Sequence, residues 1–385
     1  MSVTSTTGAP AAEPGGTTLG DHVLGQLLRL CAVAGLADAD TATYGQVLLD
    51  SLGDTALRPL SLPPLSPSFI SDDHTPVEFS LALTPDAAPV LRMLVEPGFA
   101  AADMDGSGRV GLSVIRDMAG RWDFSTAQLD ALEDLFFPAA AEGPLALWYA
   151  LELRPGGVPG VKVYLNPSAG GAGHCSRTVR EALRRLGHRD AYAALPDGAG
   201  HPFLALDLGS WTTPRVKVYV THPRLSAADA RAMSRTVPGL AADQVETFFH
   251  LAAGTAPPLG PGAEEETRLL RRPALSCHAF TDSGTGAPSG FTLHIPVRDY
   301  VRDDEEALAR ATALLTHFGM DASVLSRALT ALTPRGLDEG VGLIAYLALA
   351  HQRNRQPRIT AYLSSEAYAV RPPLSLPQRA GAGRA

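Results

Sequence analysis

The sequence predicts an α+β protein: a closed, ten-stranded antiparallel β-barrel with a polar lumen, surrounded by a ring of helices. Three observations lead there. Helical apolar spacing gives way to a pair of short strand patterns, and this unit recurs five times along the chain. Strands joined by short turns run antiparallel, and ten of them leave exposed edges unless they close on themselves. Inside the strands, valines and leucines alternate with charged residues and tyrosines, most plainly over Val161-Lys162-Val163-Tyr164-Leu165 and Arg215-Val216-Lys217-Val218-Tyr219.

The five units follow in order. Helices over 22–36 and 41–52 precede strands over 76–83 and 90–95. Helices over 109–120 and 126–137, the second opened by a Ser125 to Gln128 capping box, precede strands over 145–153 and 159–166. A helix over 177–187, capped by Ser176, precedes strands over 203–208 and 215–221. Helices over 227–236, opened by Ser226 and Asp229, and over 241–253 lead to strands over 275–281 and 290–297. Helices over 303–317 and 323–332 lead to the last pair, 341–350 and 358–364. One barrel domain is expected over 19–370. The polar, small-residue segments 1–18 and 371–385 bury too little surface to order.

Composition narrows the class of function. The 385 residues are 45% hydrophobic and 19% charged, with a net charge of −8. That balance fits a soluble globular chain, and the longest apolar runs stop well short of the ~20 residues a membrane span needs. No basic segment with an apolar core and cleavage site opens the chain, so a cytoplasmic location is expected. Cys31, Cys175 and Cys277 are odd in number and lack CxxC spacing, which suits a reducing compartment, argues against structural zinc, and leaves them as buried small residues. The basic residues of interest sit within strands, where nucleic acid could not reach them. Small-molecule ligands remain, bound by a monomer or weak homodimer.

Alternation assigns the barrel faces. Val161, Val163, Leu165, Val216, Val218, Leu293, Ile295, Ile359 and Leu363 pack under the helices. The other face lines the lumen with Glu78, Ser80, Arg92, Trp148, Glu152, Lys162, Tyr164, Asp207, Arg215, Lys217, Tyr219, Ser276, His278, Thr292, His294, Arg358, Thr360 and Tyr362. Charges turned inward need partners or a ligand. Five cations, Arg92, Lys162, Arg215, Lys217 and Arg358, match a polyanion such as a diphosphate. Tyr164, Tyr219 and Tyr362 stand near them with hydroxyls for phosphate and ring faces that stabilise a carbocation.

Other motifs resolve into ordinary structure. Asp72-Asp73 has no second acid at helical spacing, and Asp303-Asp304-Glu305-Glu306 opens a helix, where negative charge favours the dipole. The segment Asp103 to Gly108 imitates a calcium loop but has Val114 where a bidentate Glu belongs, and reads as a turn. Gly170 to Gly173 lacks the GK[ST] ending of a phosphate loop and reads as a flexible connection.

Five segments, in order and at matching spacing, resemble the dimethylallyltryptophan synthase family of indole prenyltransferases. They are Thr75 to Ser80, Arg92 ahead of Glu96-Pro97, Lys162-Val163-Tyr164, Arg215 to Tyr219, and Arg358 with Tyr362 to Ser365. The likeness covers roughly 20–370 and is nearest to the short bacterial members that prenylate tryptophan on the benzene ring, particularly at carbon 6. It implies the ABBA or PT barrel and metal-independent transfer from dimethylallyl diphosphate. It further implies that Glu78 accepts from the indole N–H, and that Arg92, Lys162, Arg215, Lys217 and Arg358 bind diphosphate, with Tyr362 and His294 beside them. Tyr164, Tyr219 and Tyr362 would shield the cation. Thr292 and His294 replace the Gln and Tyr common in fungal members, and Asn166 replaces a tyrosine, which would widen the acceptor pocket.

Some readings stay open at this level. Glu152, Glu78 and His294 are candidates for the base that removes the final proton, and Glu152 could instead be an ion-pair partner. Trp148 walls the acceptor site or fills the barrel end. The acceptor could be a tryptophan-containing cyclic dipeptide, tyrosine or another phenol. A non-catalytic polyphosphate-binding barrel would also explain the cations.

Overall fold

The computed structural model describes residues 16–209, 215–237, 241–255, 268–353 and 355–375. Helix α1 (Leu19–Ala34) starts earlier than its apolar spacing suggested, because Thr18 accepts from Asp21 N through its hydroxyl while the Asp21 carboxylate accepts from Thr18 N. Helix α2 (Asp38–Leu52) packs against it and leads to β1 (Val77–Leu83) and β2 (Val90–Val95). Helix α3 (Met104–Trp122) absorbs the calcium-like segment expected to be a turn. The Asp103 carboxylate accepts from Gly106 N at 2.7 Å and caps the helix.

The helix expected over 126–137 is two single turns, α4 (Ala127–Asp130) and α5 (Glu133–Phe136), where Leu132 N bonds to Leu129 O and breaks the α-helical ladder. Strands β3 (Leu147–Glu152) and β4 (Gly160–Leu165) follow. Helix α6 (Cys175–Arg185) begins ahead of Ser176, so the expected cap lies inside it. Then come β5 (Leu204–Leu208), β6 (Arg215–His222), α7 (Ala227–Ser234) with its Ser226–Asp229 capping box, and α8 (Ala242–Ala253). The chain continues through β7 (Ala274–Phe280), β8 (Gly290–Ile295), α9 (Asp304–His317), α10 (Ser323–Leu332), β9 (Ile344–Gln352) and β10 (Arg358–Ser364). Asp303 caps α9 by accepting from Glu306 N at 2.9 Å, as the acidic run implied.

The ten strands pair antiparallel in chain order, and β10 closes on β1 over a register running from Glu78 opposite Ser364 to Leu83 opposite Ile359. Every edge is thereby paired. The outward side chains of alternate positions, Val161, Val163, Leu165, Val216, Val218, Leu293, Ile295, Ile359 and Leu363, are buried under the helices. This layer between barrel and helices is the hydrophobic core, so the lumen is left to polar groups.

One strand departs from the expected facing. Register places Tyr219 opposite Cys277 and Val218 opposite His278, so Leu275, Cys277 and Ala279 point inward while Ser276 and His278 point outward. The polar side chains satisfy one another beneath the helices: His222 Nε2 and His278 Nε2 lie 2.8 and 3.0 Å from Ser276 Oγ. Cys31 is buried, Cys277 lines the lumen, and Cys175 is half-buried with its thiol donating to His201 O. Arg371 to Ser375, assigned by composition to the tail, have described positions: Arg371 pairs with Asp299 at 3.0 Å and Leu374 N bonds to Arg302 O. The remainder of that tail and residues 1–15 lie outside the described residues.

Close approach after β2 depends on a missing side chain. A Cβ on Gly98 would lie 2.4 Å from Ser107 Oγ and 2.6 Å from Ser107 Cα, inside the first turns of α3. Gly98→Ala is expected to lower unfolding free energy by about 1–3 kcal/mol through overpacking, read as a reduced urea midpoint with an unchanged slope. An unchanged midpoint would mean that α3 is not held this closely to the strand end.

Candidate active site

Even strands run from one end of the barrel to the other and odd strands return, so side chains fall into layers along the axis. Toward one end stand Arg92, Glu152, Lys162, Asp207, Arg215 and Arg358; toward the other stand Glu78, Trp148, Tyr346 and Ser364. Lys217, Tyr164, Tyr219, His294 and Tyr362 occupy the space between. A cavity of about 50 Å³ opens between Glu78, Arg92, Lys162, Tyr164, Lys217 and Tyr362.

The charged layer is compensated, but not fully. Arg92 donates through Nε and Nη2 to Glu152 Oε2, at 3.1 and 2.7 Å, and Arg154 donates to Glu152 Oε1 at 3.0 Å. Burial penalises the Glu152 carboxylate, yet Arg92 and Arg154 outweigh it and bring its pKa to about 2. Asp207 lies 3.2 Å from Arg215, 3.6 Å from Lys162 and 3.9 Å from Lys217. Its pKa falls well below the carboxylate range because, against the cost of burial, the three cations favour its charge.

Five lumen cations thus face two carboxylates, Glu152 and Asp207. Burial, with neighbouring cations added, pushes the Lys217 ammonium well below its ordinary pKa, even though Asp207 acts the other way. Burial also opposes the Lys162 charge, but Tyr164 and Asp207 outweigh it and raise that pKa. Arg358 is lowered to about 10 by burial and by Arg92, and still carries its proton at neutral pH. An anion with several oxygens entering here would relieve each of these penalties.

Above the charges the rings form a continuous arc. Centroids lie 5.9 Å apart for Tyr164 and Tyr219, 5.7 Å for Tyr219 and His294, and 5.7 Å for His294 and Tyr362. Phe203 stands edge-on to Tyr164 and Tyr219, and Tyr346 edge-on to Tyr362. The Lys162 ammonium sits 5.9 Å from the Tyr164 centroid, a cation against a ring face. His294 Nε2 is 3.2 Å from the Tyr362 hydroxyl, and burial lowers its pKa to about 4, so its ring is neutral at pH 7.

Glu78 is 6% exposed, and its carboxyl makes no hydrogen bond among the described residues. Burial raises its pKa to about 8; the Arg298 guanidinium acts to lower it and Asp72 to raise it. The carboxyl therefore keeps its proton at neutral pH, with a carbonyl oxygen left to accept. Trp148 packs with Ile70 and Leu145 and lies 5.2 Å from the Phe203 ring, closing the lumen on the Glu78 side.

Two expected site residues have other surroundings. Asn166 lies past the end of β4 and does not enter the pocket: its Nδ2 donates to Glu142 O at 2.8 Å and Leu145 O at 3.2 Å, and its Oδ1 accepts from Ser168 N at 2.9 Å. Those bonds fasten the loop before β3 and leave the side chain nothing to offer an acceptor. Glu152 has the geometry of the ion-pair alternative. Phe203, Cys277 and Tyr346, which the sequence reading missed, do line the lumen. Tyr346 shares parity with Ala348, opposite Thr360, and Ala350, opposite Arg358, and Phe203 shares parity with Asp207 in the strand expected over 203–208, so both signals were open to inspection.

Known proteins share this fold. The family model described as tryptophan dimethylallyltransferase matches residues 42–327. The prenyltransferase PriB, in a ternary complex with L-tryptophan and dimethylallyl thiolodiphosphate, superposes with a TM-score of 0.89 at 60% identity, covering 93% of this chain and 99% of its own. The 5-dimethylallyltryptophan synthase of Streptomyces coelicolor is 62% identical with a TM-score of 0.87, covering 92% and 99%. The 6-dimethylallyltryptophan synthase of Micromonospora olivasterospora, in complex with DMASPP and Trp, is 37% identical with a TM-score of 0.84, covering 93% and 100%.

The raised Glu78 pKa carries a signed consequence for stability. Between the ordinary carboxyl value of 4.5 and the folded value of about 8, the folded state keeps a proton that the unfolded state has lost, so stability falls as pH rises through that window. Glu78→Gln removes this penalty. Its thermal or urea stability relative to wild type should improve by roughly 3 kcal/mol between pH 5 and pH 8. A difference that stays constant across that range would show that Glu78 titrates normally.

Proposed function

The chain belongs to the tryptophan dimethylallyltransferase family, and from that premise we propose that it transfers the dimethylallyl group of dimethylallyl diphosphate to the benzene ring of the indole of free L-tryptophan. Carbon 6 is the position carried over from the sequence resemblance. A second reading, carbon 5, is favoured by the 62% identity to the 5-dimethylallyltryptophan synthase. The observation that carries the reaction class is the axial order of the lumen: cations, then an arc of aromatic rings, then a buried carboxyl.

In this reading Arg92, Lys162, Arg215, Lys217 and Arg358 hold the diphosphate, with the Tyr362 hydroxyl and His294 next to them. The allylic C–O bond breaks with its electron pair passing to the diphosphate, whose growing charge the cations stabilise. Tyr164, Tyr219 and Tyr362 turn π faces to the allylic cation and keep water from it. Glu78 accepts from the indole N–H, which orients the ring and favours the ionised carboxylate over the protonated form that burial favours. The ring carbon attacks the primary allylic carbon, a C–C bond forms, and a proton leaves the arenium carbon to restore aromaticity. Glu152, held near pKa 2 by two arginines, is the poorest base of the three candidates; Glu78 and His294 remain.

We further propose that no metal takes part, because the charge a divalent ion would neutralise already has Arg92, Lys162, Lys217 and Arg358 around it, with Arg215 next to them on Asp207. The three cysteines are unpaired, which fits a reducing cytoplasm. No helix among the described residues is long and apolar enough to cross a membrane.

Incubation with L-tryptophan and dimethylallyl diphosphate in excess chelator should give one prenylated tryptophan, whose NMR spectrum distinguishes carbon 6 from carbon 5. Absence of product across indole and phenol acceptors would leave the polyphosphate-binding alternative. In the same assay, Glu78→Gln should lower turnover at least 10-fold with little change in donor affinity, whereas Lys217→Ala should weaken both. Equal loss of donor affinity in the two variants would contradict these roles.

A further inference from the structure

Glu96 stands just past β2, and the proposed reaction gives it no part. Its backbone N–H donates to Pro76 O at 3.0 Å, and the pairing of Val95 with Tyr149 brings it level with Trp148 on the neighbouring strand. The side chain is buried, and burial raises its pKa to about 7 against the opposing action of Ser68 and Trp148. A carboxyl in such a place is costly, where an apolar side chain of similar size would not be. The cost is understandable if its oxygens hold something in place.

Two donors converge on that carboxyl. Ser68 Oγ donates to Glu96 Oε2 at 2.6 Å, and the same Oγ accepts from Ile70 N at 3.4 Å. Trp148 Nε1 is buried without a well-formed hydrogen bond among the described residues, and Glu96 is the acceptor on which its N–H acts. Ile70 and Trp148 in turn pack on one another, with Leu145 and Leu94 beside them. Leu94 is paired in register with Glu78 on one side and Ala150 on the other. The apolar wall next to the Glu78 carboxyl is thus anchored to Glu96 at two points, through the Trp148 ring and through the Ser68 loop.

We propose that Glu96 is a positioning residue: by holding Trp148 and, through Ser68, Ile70, it fixes the wall on which the indole of the acceptor lies, and so selects the ring carbon that meets the allylic cation. An indole held only at its N–H by Glu78 can still turn about that hydrogen bond. A firm wall on one side removes this freedom. Carbons 5 and 6 are neighbours on the ring, so a small tilt exchanges them, and near-attack geometry tolerates little displacement. The inference rests on the reading that an indole is bound at Glu78, and it deepens that reading by assigning what decides the position of attack. Glu96 itself meets no reacting atom and acts through Trp148 and Ile70.

The test compares Glu96→Leu, Ser68→Ala and Glu96→Gln with wild type, reading the products from L-tryptophan and dimethylallyl diphosphate by chromatography and NMR. Wild type should give a single isomer. Glu96→Leu, which fills the space but accepts nothing, should release a second ring isomer as roughly a tenth of the product or more. It should also raise KM for tryptophan roughly 3- to 10-fold, with KM for the donor changed by less than about 2-fold. Ser68→Ala should move both readouts in the same direction by a smaller amount. Glu96→Gln, which keeps an oxygen for the same donors, should retain the single isomer. A purely structural carboxyl would lower the melting temperature and leave isomer ratio and tryptophan KM untouched, and that result in Glu96→Leu overturns the proposal. A Glu96→Gln variant as unselective as Glu96→Leu overturns it too. Should Glu96→Leu fail to fold, as circular dichroism would show, Ser68→Ala decides: one isomer with an unchanged tryptophan KM refutes the positioning role. Wild-type protein that prenylates no indole acceptor overturns the functional reading and this inference together, whereas variants with wild-type selectivity overturn this inference alone.

Discussion

Asp207 and the cations around it are the constraint on which the barrel depends. One carboxylate stands within 4 Å of Lys162, Lys217 and Arg215, inside a protein whose core lies elsewhere, between barrel and helices. Without it, three cations on two neighbouring hairpins would repel in a medium of low dielectric. With it, the lumen tolerates them but remains short of negative charge. The burden falls most on Lys217, the most buried of the three, whose ammonium is pushed well below its usual pKa. The cationic excess thus holds the lumen away from its electrostatic optimum, which a multivalent anion would restore.

The axial order follows from strand direction combined with alternation. On even strands a cation precedes a ring by two residues: Lys162 before Tyr164, Lys217 before Tyr219. Because all even strands run the same way, each such pair puts its cation toward one end and its ring toward the other. The order of cation and then ring along the barrel axis is therefore set by a two-residue spacing repeated in two hairpins. Glu96 and Glu78 lie toward the ring end, and burial raises the pKa of both carboxyls. Burial therefore disfavours negative charge on both carboxyls at that end.

Much of this was legible in the sequence. Period-two alternation fixed the lumen on β4, β6 and β10, where valine or leucine stands against charge, and the repeated helix and hairpin pattern forced closure. It failed on β7. There Ser276 and His278 are the polar alternates, yet they face the helices, because His222 on the neighbouring strand supplies a hydrogen-bonding partner in the outer layer. Polarity marks the lumen only where the outer layer has no polar cluster of its own. Asn166 misled for another reason: the strand ends at Leu165, and beyond a strand end parity carries no information about direction. Arg298 was invisible because it belongs to a turn, which no periodicity reaches.

These failures share a cause that bears on specificity within the family. Side chains on the barrel wall are constrained by the pleat and by pairing on both sides, so the cationic end of the lumen is dictated by strand sequence. The opposite end is assembled from Glu78 at the start of a strand, Trp148 beside the loop residue Ile70, and Arg298 in a turn. Turns and loops can shift a side chain by ångströms without disturbing a single pair in the barrel. A fixed cationic and aromatic wall would ionise the same donor in every relative, while small displacements at the open end rotate the indole and select which carbon meets the cation. Relatives named for carbon 5 and for carbon 6, at 62% and 37% identity on one fold, are what such a division predicts.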